Sequence, residues 1–383
     1  MPSVTRAAQA AWGALFLVFG VALIRDTAHN GHDTGVFWQA GNAILVGDPV
    51  YWLGRDGAMA YKYPPWITPF FLPFAGVSLA TGKWLWGVVE VLSLAAVFRW
   101  LQSRARANLH IIGVTGLAFW GIWVIHALDG QIALPMLALA LWTFEAESAS
   151  KSLVAGTLLV LALSTKIFTL LPLWEFRRDS RARKVAAASL AAAALLSLPV
   201  LRVTRDHSVP QLFRDWREAA TSGLAQFGSG HVYGAHHNPG LTAVLFRAFP
   251  DLLSVPGAEI GIPAILALIF AILWSRRART LAPRERWAGW LALTPVIHPL
   301  PWWHLFAFAY PAAVLALDRK RNPWLAGIGL ALLALGSESA LGLLGIVLET
   351  VAAKSLGTLL CLAALAQAGS TRTRSPSTPS GRT

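Results

Sequence analysis

The chain has 383 residues, 55% of them hydrophobic and only 13% charged, against roughly 25% charged in an ordinary soluble domain. With a mean hydropathy of +0.54, this composition excludes a soluble globular protein, and the polar–apolar alternation over about 10 residues that a membrane β-barrel needs is missing. The net charge of +13 does not point to nucleic acid, because the basic residues cluster between apolar runs, as the positive-inside rule places them in cytoplasmic loops.

Those clusters are Arg99, Arg104 and Arg106; Arg177, Arg178, Arg181, Arg183 and Lys184; Arg276, Arg277, Arg279, Arg284 and Arg286; and Arg319, Lys320 and Arg321. Placing each of them inside predicts about twelve spans with both termini cytoplasmic. Span 1 runs from about 7 to 24 and reads as a retained helix, because no small-x-small cleavage site follows it. A long external segment follows from 25 to 80, and spans at about 82–101 and 109–127 come next. A fourth span returns to Glu145, and two short pieces, 152–165 and 167–176, form a hairpin with Lys166 at its outer bend. The last six are predicted near 185–201, 258–275, 287–301, 303–317, 323–341 and 345–366. Residues 1–366 thus form one transmembrane domain, with external loops at 25–63 and 202–257, and the polar stretch 367–383 reads as a disordered cytoplasmic tail. The lone Cys361 rules out an internal disulfide.

Within the first loop, Val36, Phe37, Ala40, Ile44 and Leu45 recur at helical spacing, which predicts an amphipathic helix lying on the bilayer. Asp33 stands at its start, and the spacing leaves two roles open: the N-cap of that helix, or chemistry. The other acids there have plainer readings. Asp48 precedes Pro49, Asp56 precedes Gly57 and Asp129 sits in "LDGQ", all turn signals. Four prolines in "YPPWITPFFLPF" argue against a regular lipid-facing helix and for a re-entrant or interfacial piece shielded by protein. Lys62, Lys166, Arg205, Arg214, Arg217 and Arg247 break the positive-inside pattern. Lys166 is ringed by apolar residues, so an anion or water must offset its burial, and a lipid phosphate would serve. Ten histidines lack the HExxH or tight His/Cys spacing of a zinc site, so no metal is expected.

The segments "HDTGVFWQAGNAILVGDPVY", "YKYPPWITPFFLPF", "DGQIALPMLALAL", "STKIFTLLPLW", "HNPGLTAVLFRAF" and "TPVIHPLPWWHLFAFAYP", in that order, resemble glycosyltransferase family 87, the GT-C fold mannosyltransferases of membranes. The resemblance implies an all-α GT-C-like bundle and an inverting transfer of mannose from a polyprenyl-phosphate donor to a hydroxyl of a lipid or glycan. It places the reaction on the external face of a bacterial plasma membrane, without cofactor or nucleic acid. It also implies that Asp33 is the catalytic base, and the charge growing on a leaving phosphate calls for cations, a role expected of Lys166, Arg247 and His298. Tyr63, Lys62, Gln131, His236, His237, Asn238 and His304 are the expected substrate contacts. The rival reading is a transporter or lipid flippase, for which the mid-span Glu90 and Glu349 are the best evidence; hydrogen bonding within the bundle is the simpler account of both. The same scaffold would also suit transfer of another sugar.

Overall fold

The computed structural model describes residues 2–51, 61–163, 180–203, 208–227, 238–298, 301–336 and 341–367, and among these it contains helices and no strands. Helix α1 (Pro2–His29) is followed after a two-residue turn by α2 (His32–Val46). A 3-10 helix (Pro65–Phe71) runs into the short α3 (Leu72–Ala75) and then α4 (Leu79–Ser103). Next come α5 (Leu109–Ala118), α6 (Trp120–Asp129), α7 (Ala133–Ser148) and α8 (Ser152–Leu163). The chain continues through α9 (Ser180–Val203), α10 (Val209–Phe227), α11 (Leu241–Ala248), α12 (Ala258–Arg277) and α13 (Pro283–Ile297). A second long 3-10 segment (Trp303–Ala309) opens α14 (Tyr310–Asp318), and α15 (Pro323–Leu335), α16 (Leu343–Thr350) and α17 (Ala353–Gln367) complete the bundle.

Four segments are long and apolar enough to cross a bilayer alone: Arg6–His29, Leu79–Ser103, Arg183–Leu201 and Ala258–Thr280. Two more bring the number to six if each bent pair is one span. They are α5 with α6, bent by 61° at Phe119, and α16 with α17, bent by 64°. The continuous spans expected at 109–127 and 345–366 are therefore broken. At the second break Ala352 takes a positive φ of 59°, a left-handed conformation no helix continues through. The predicted piece 167–176 lies outside the described residues, the remaining predicted spans correspond to shorter elements such as Pro323–Leu335, and α13 is almost wholly buried.

Three local expectations change. Helix α1 extends to His29, so Arg25 and Asp26 belong to it rather than to a loop. The described residues of the segment 202–257, expected as a loop, are largely helical, holding α10, α11 and a 3-10 turn. Helix α2 does not lie on the bilayer by its apolar face, because Phe37, Ala40 and Ile44 are buried in protein. Phe37 stacks on Phe71 with ring centroids 4.7 Å apart, and a Cβ on Gly41 would stand 2.7 Å from the Phe71 carbonyl oxygen. The proline-rich stretch forms the other wall of this contact. It is an irregular 3-10 helix with Thr68 and Phe71 fully buried, as its missing donors dictate.

At the end where the arginines cluster, carboxylates tie the helices together. Arg284 grips Glu145 through two hydrogen bonds of 2.7 and 2.9 Å, and Trp100 Nε1 donates to the same carboxylate at 3.0 Å. Buried Glu285 accepts from Arg319 at 2.8 Å and from Arg321 at 3.4 Å. Arg319 also donates to the Ala105 carbonyl at 2.8 Å. The basic clusters read from the sequence are thus partly clamps between helix ends. Glu285→Ala leaves Arg319 and Arg321 without this carboxylate and should cost about 1–3 kcal/mol, seen as a lower midpoint of thermal unfolding in detergent. An unchanged midpoint would mean that the clamp contributes nothing.

Candidate functional site

Two glycine turns meet at the expected site. Gly31, between α1 and α2, has φ 30° and ψ 58°; Gly130, ending α6, has φ 64° and ψ 45°. Both conformations are left-handed, which glycine alone adopts without penalty. A Cβ on Gly130 would collide with Thr34 Oγ1 and stand 3.0 Å from Gly31 Cα, and a Cβ on Gly31 would collide with the Thr27 carbonyl. The turns are therefore in backbone contact. Lys83 secures the first of them by donating to the Asn30 carbonyl at 2.7 Å.

This contact brings Gln131 to Asp33, where the Gln131 amide donates to the Asp33 carboxylate. Asp33 is not the N-cap of α2. Gly31 takes that position without any side-chain bond, and Asp33 is the second residue of the helix, half-buried, at the end where the helix dipole favours negative charge. Lys62 and Tyr63 lie within reach of its field. Burial lowers the Lys62 pKa, and the Asp33 charge opposes that shift. Burial raises the Tyr63 pKa well above the usual phenol range, with the Asp33 charge adding to it, so its hydroxyl stays protonated and able to donate. Trp216 of α10 donates to the Lys62 carbonyl at 3.1 Å and meets Trp66 edge to face at 5.5 Å. The two segments expected as external loops, 25–63 and 202–257, are thereby joined.

Below the turns lies a buried polar group. Leu134 N–H donates to His126 Nε2 at 2.9 Å, which assigns the ring proton to Nδ1. Nδ1 lies 3.1 Å from Glu90 Oε1, and Thr27 Oγ1 donates to Glu90 Oε2 at 2.5 Å. Glu90 and His126 are both buried, and their contacts join α1, α4, α6 and the start of α7. Glu90 thus has the bundle-facing role expected of it. The sequence signal for His126 is a histidine ending an apolar helix in a chain that also carries a mid-span glutamate.

His304 is buried with Nδ1 3.9 Å from Asp129 Oδ2, beyond hydrogen-bond length, and its ring meets His126 edge-on at 6.5 Å. Its neighbour Trp303 faces Lys354, whose Nζ lies 5.8 Å from the indole centre and donates to the Leu333 carbonyl at 3.2 Å. Neither His126 nor Lys354, a single lysine within the last apolar run, is among the expected site residues. Arg247 and Asn238 belong to this second cluster. Arg247 donates to the Asn238 carbonyl at 3.1 Å and to the Thr350 carbonyl at 2.9 Å, and burial lowers its pKa. Ser355 donates to the Pro239 carbonyl at 2.7 Å. The half-buried His298 lies beside Gly240, with its carbonyl 3.2 Å from where a Cβ on that glycine would stand. Lys166, His236 and His237 lie outside the described residues. Among the described residues no group of three His, Cys, Asp or Glu side chains could hold a metal.

The sequence model of glycosyltransferase family 87 matches residues 61–299, more than half of the 383 residues. The match includes Lys62, Tyr63, Gln131, Asn238, Arg247 and His298, while Asp33 precedes it and His304 follows it. No curated protein and no solved structure matches the chain.

Gly130→Ala forces the two turns apart and places an L-residue at φ 64°. It should lower the thermal midpoint, whereas Gly121→Ala, whose Cβ would meet nothing within 4 Å, should leave it unchanged or slightly raised. Equal midpoints for the two variants would mean that the glycine contact is not needed. Glu90→Leu removes the acceptor of Thr27 and the neighbour of the His126 Nδ1 proton. The expected loss is about 1–3 kcal/mol for each buried polar group left unpaired, read from the same melting experiment.

Proposed function

The chain belongs to glycosyltransferase family 87 and is a glycosyltransferase, and from that premise we propose an inverting transfer of mannose from a polyprenyl-phosphate donor to a hydroxyl of a lipid or glycan, on the face opposite the arginine clusters. The observation that carries the proposal is the half-buried Asp33 carboxylate, oriented by the Gln131 amide between two turns in backbone contact. A general base must be held in a fixed direction near the proton it removes. A carboxylate bound by an amide from a separate helix end meets that requirement better than one on a mobile loop.

In this reaction the acceptor oxygen attacks the anomeric carbon as the bond from that carbon to the phosphate oxygen breaks. The bonding pair leaves with the polyprenyl phosphate, and the acceptor proton passes to Asp33. A phosphate departs as an anion without an acid to protonate it, so one carboxylate suffices where an inverting glycosidase uses two. The charge growing on the phosphate calls for cations. Arg247 and His298 are the described candidates, and Lys166 is the third. Two of the five Arg247 donors already hold main-chain carbonyls, which fixes the guanidinium plane for any further bond. Tyr63, Lys62, Asn238 and His304 supply polar contacts for sugar and acceptor, together with His236 and His237.

The test is transfer of labelled mannose from synthetic polyprenyl-phosphate mannose in membranes of matched expression. Asp33→Asn should lose at least about 100-fold in rate, the usual share of a general base. Gln131→Leu, which keeps the base but not its orientation, should lose about 10-fold with little change in KM for the donor, an effect comparable to losing one oriented hydrogen bond. Full activity in Asp33→Asn would remove Asp33 from the mechanism. No transfer by the wild type would sink the donor assignment.

A further inference from the structure

An apolar groove of about 420 Å³ opens between α1, α4, α5 and α6, and it shares no residue with the Asp33 site. On α1 its lining follows a helical stripe through Gln9, Gly13, Phe16, Gly20 and Leu23, flanked by Trp12, Leu15 and Phe19. At 1.5 Å per residue, the path from Gln9 to Leu23 is ~21 Å, deeper than half of a hydrocarbon core about 30 Å thick. The charged and amide-bearing residues of the lining are Gln9, Arg99 and Gln102, all at one end, and no acid lines the groove. Arg6 lies three residues before Gln9 on the same stripe, and Arg104 and Arg106 follow Arg99 and Gln102. A second apolar groove between α4, α7 and α8, of about 360 Å³, has no charged residue in its lining.

We propose that the first groove is a specific site for one anionic phospholipid of the leaflet facing the arginine clusters, with an acyl chain along the α1 stripe and its phosphate on Arg99. The charge distribution chooses the ligand. A neutral or zwitterionic lipid gains the same apolar contact but has no net negative charge to meet the cationic end, whereas a phosphate accepts charge-assisted hydrogen bonds from a guanidinium. Gly13 makes room for the chain: open space lies where its Cβ would stand, so a ligand can lie directly against the helix backbone there. This site is independent of the transfer reaction and stands whether or not the proposed donor is right.

The test uses the full chain, purified in mild detergent, stripped of lipid and titrated with phosphatidylglycerol or phosphatidylcholine, with bound lipid counted by native mass spectrometry. The wild type should retain one phosphatidylglycerol and bind phosphatidylcholine at least about 10-fold more weakly. Arg99→Gln should weaken phosphatidylglycerol about 10-fold, as loss of one hydrogen bond to a charged group implies. Gly13→Leu, whose Cβ would meet nothing within 4 Å and whose longer side chain would compete with a ligand for the groove, should abolish retention while leaving the thermal midpoint of the lipid-free protein intact. Gly261→Leu, equally open on α12, is the control and should bind as the wild type does. Equal binding of the two lipids, or undiminished binding by Gly13→Leu, would overturn the proposal.

Discussion

The approach of Gly31 to Gly130 is the contact on which the site depends. The end of α6 can approach the start of α2 this closely because Gly130 carries no Cβ, and only glycine sits without strain at φ 30° and 64°. Everything useful at Asp33 follows from that closeness. Gln131 is the residue after Gly130, and its amide reaches the carboxylate because the backbone beneath it has no room to drift. The same turns are anchored from below, where His126 accepts the Leu134 N–H and faces Glu90, and from the side, where Lys83 holds the Asn30 carbonyl.

Burying a carboxylate and an imidazole among apolar helices is expensive unless each is paired. Here Thr27 donates to one oxygen of Glu90, and His126 Nδ1 lies 3.1 Å from the other. Such a network brings four helices into one register and makes the turn above it rigid. A transporter would need ionisable groups able to exchange partners during its cycle. The Glu90 contacts have instead the closed geometry of a brace, in keeping with a glycosyltransferase. At the other end of the bundle, the arginines do two jobs. Arg284, Arg319 and Arg321 tie helix ends through Glu145 and Glu285, and Arg99 stands exposed at the mouth of an apolar groove.

Much of the architecture could be read from residue types. Apolar runs with arginine clusters between them identify a helical membrane protein, since the bilayer admits only closed hydrogen-bonding patterns. The prolines of "YPPWITPFFLPF" argued against a regular helix, and "LDGQ" marked a turn. Asp33 stood out because its surroundings were the least generic of any acid in its loop. The helical spacing of Phe37, Ala40 and Ile44 predicted a helix with one apolar face turned to the bilayer, and the first half of that expectation alone held. A stripe of that kind fits a lipid surface or a protein wall equally well, and the buried Phe71 decided for protein.

What the sequence by itself determined was therefore the class of protein, its helical content and the identity of its unusual acid, because hydropathy, charge and turn chemistry are local properties. Only the tertiary structure decided that α5–α6 and α16–α17 are bent, that Asp33 is the second residue of its helix instead of the cap, and that Gln131 is its partner. It also paired Glu90 with His126, which lie 3.1 Å apart, and faced Lys354 with Trp303. These are contacts between residues far apart in the chain, and the distance between two helix ends depends on how every intervening helix packs. Spacing along one helix carries no record of that.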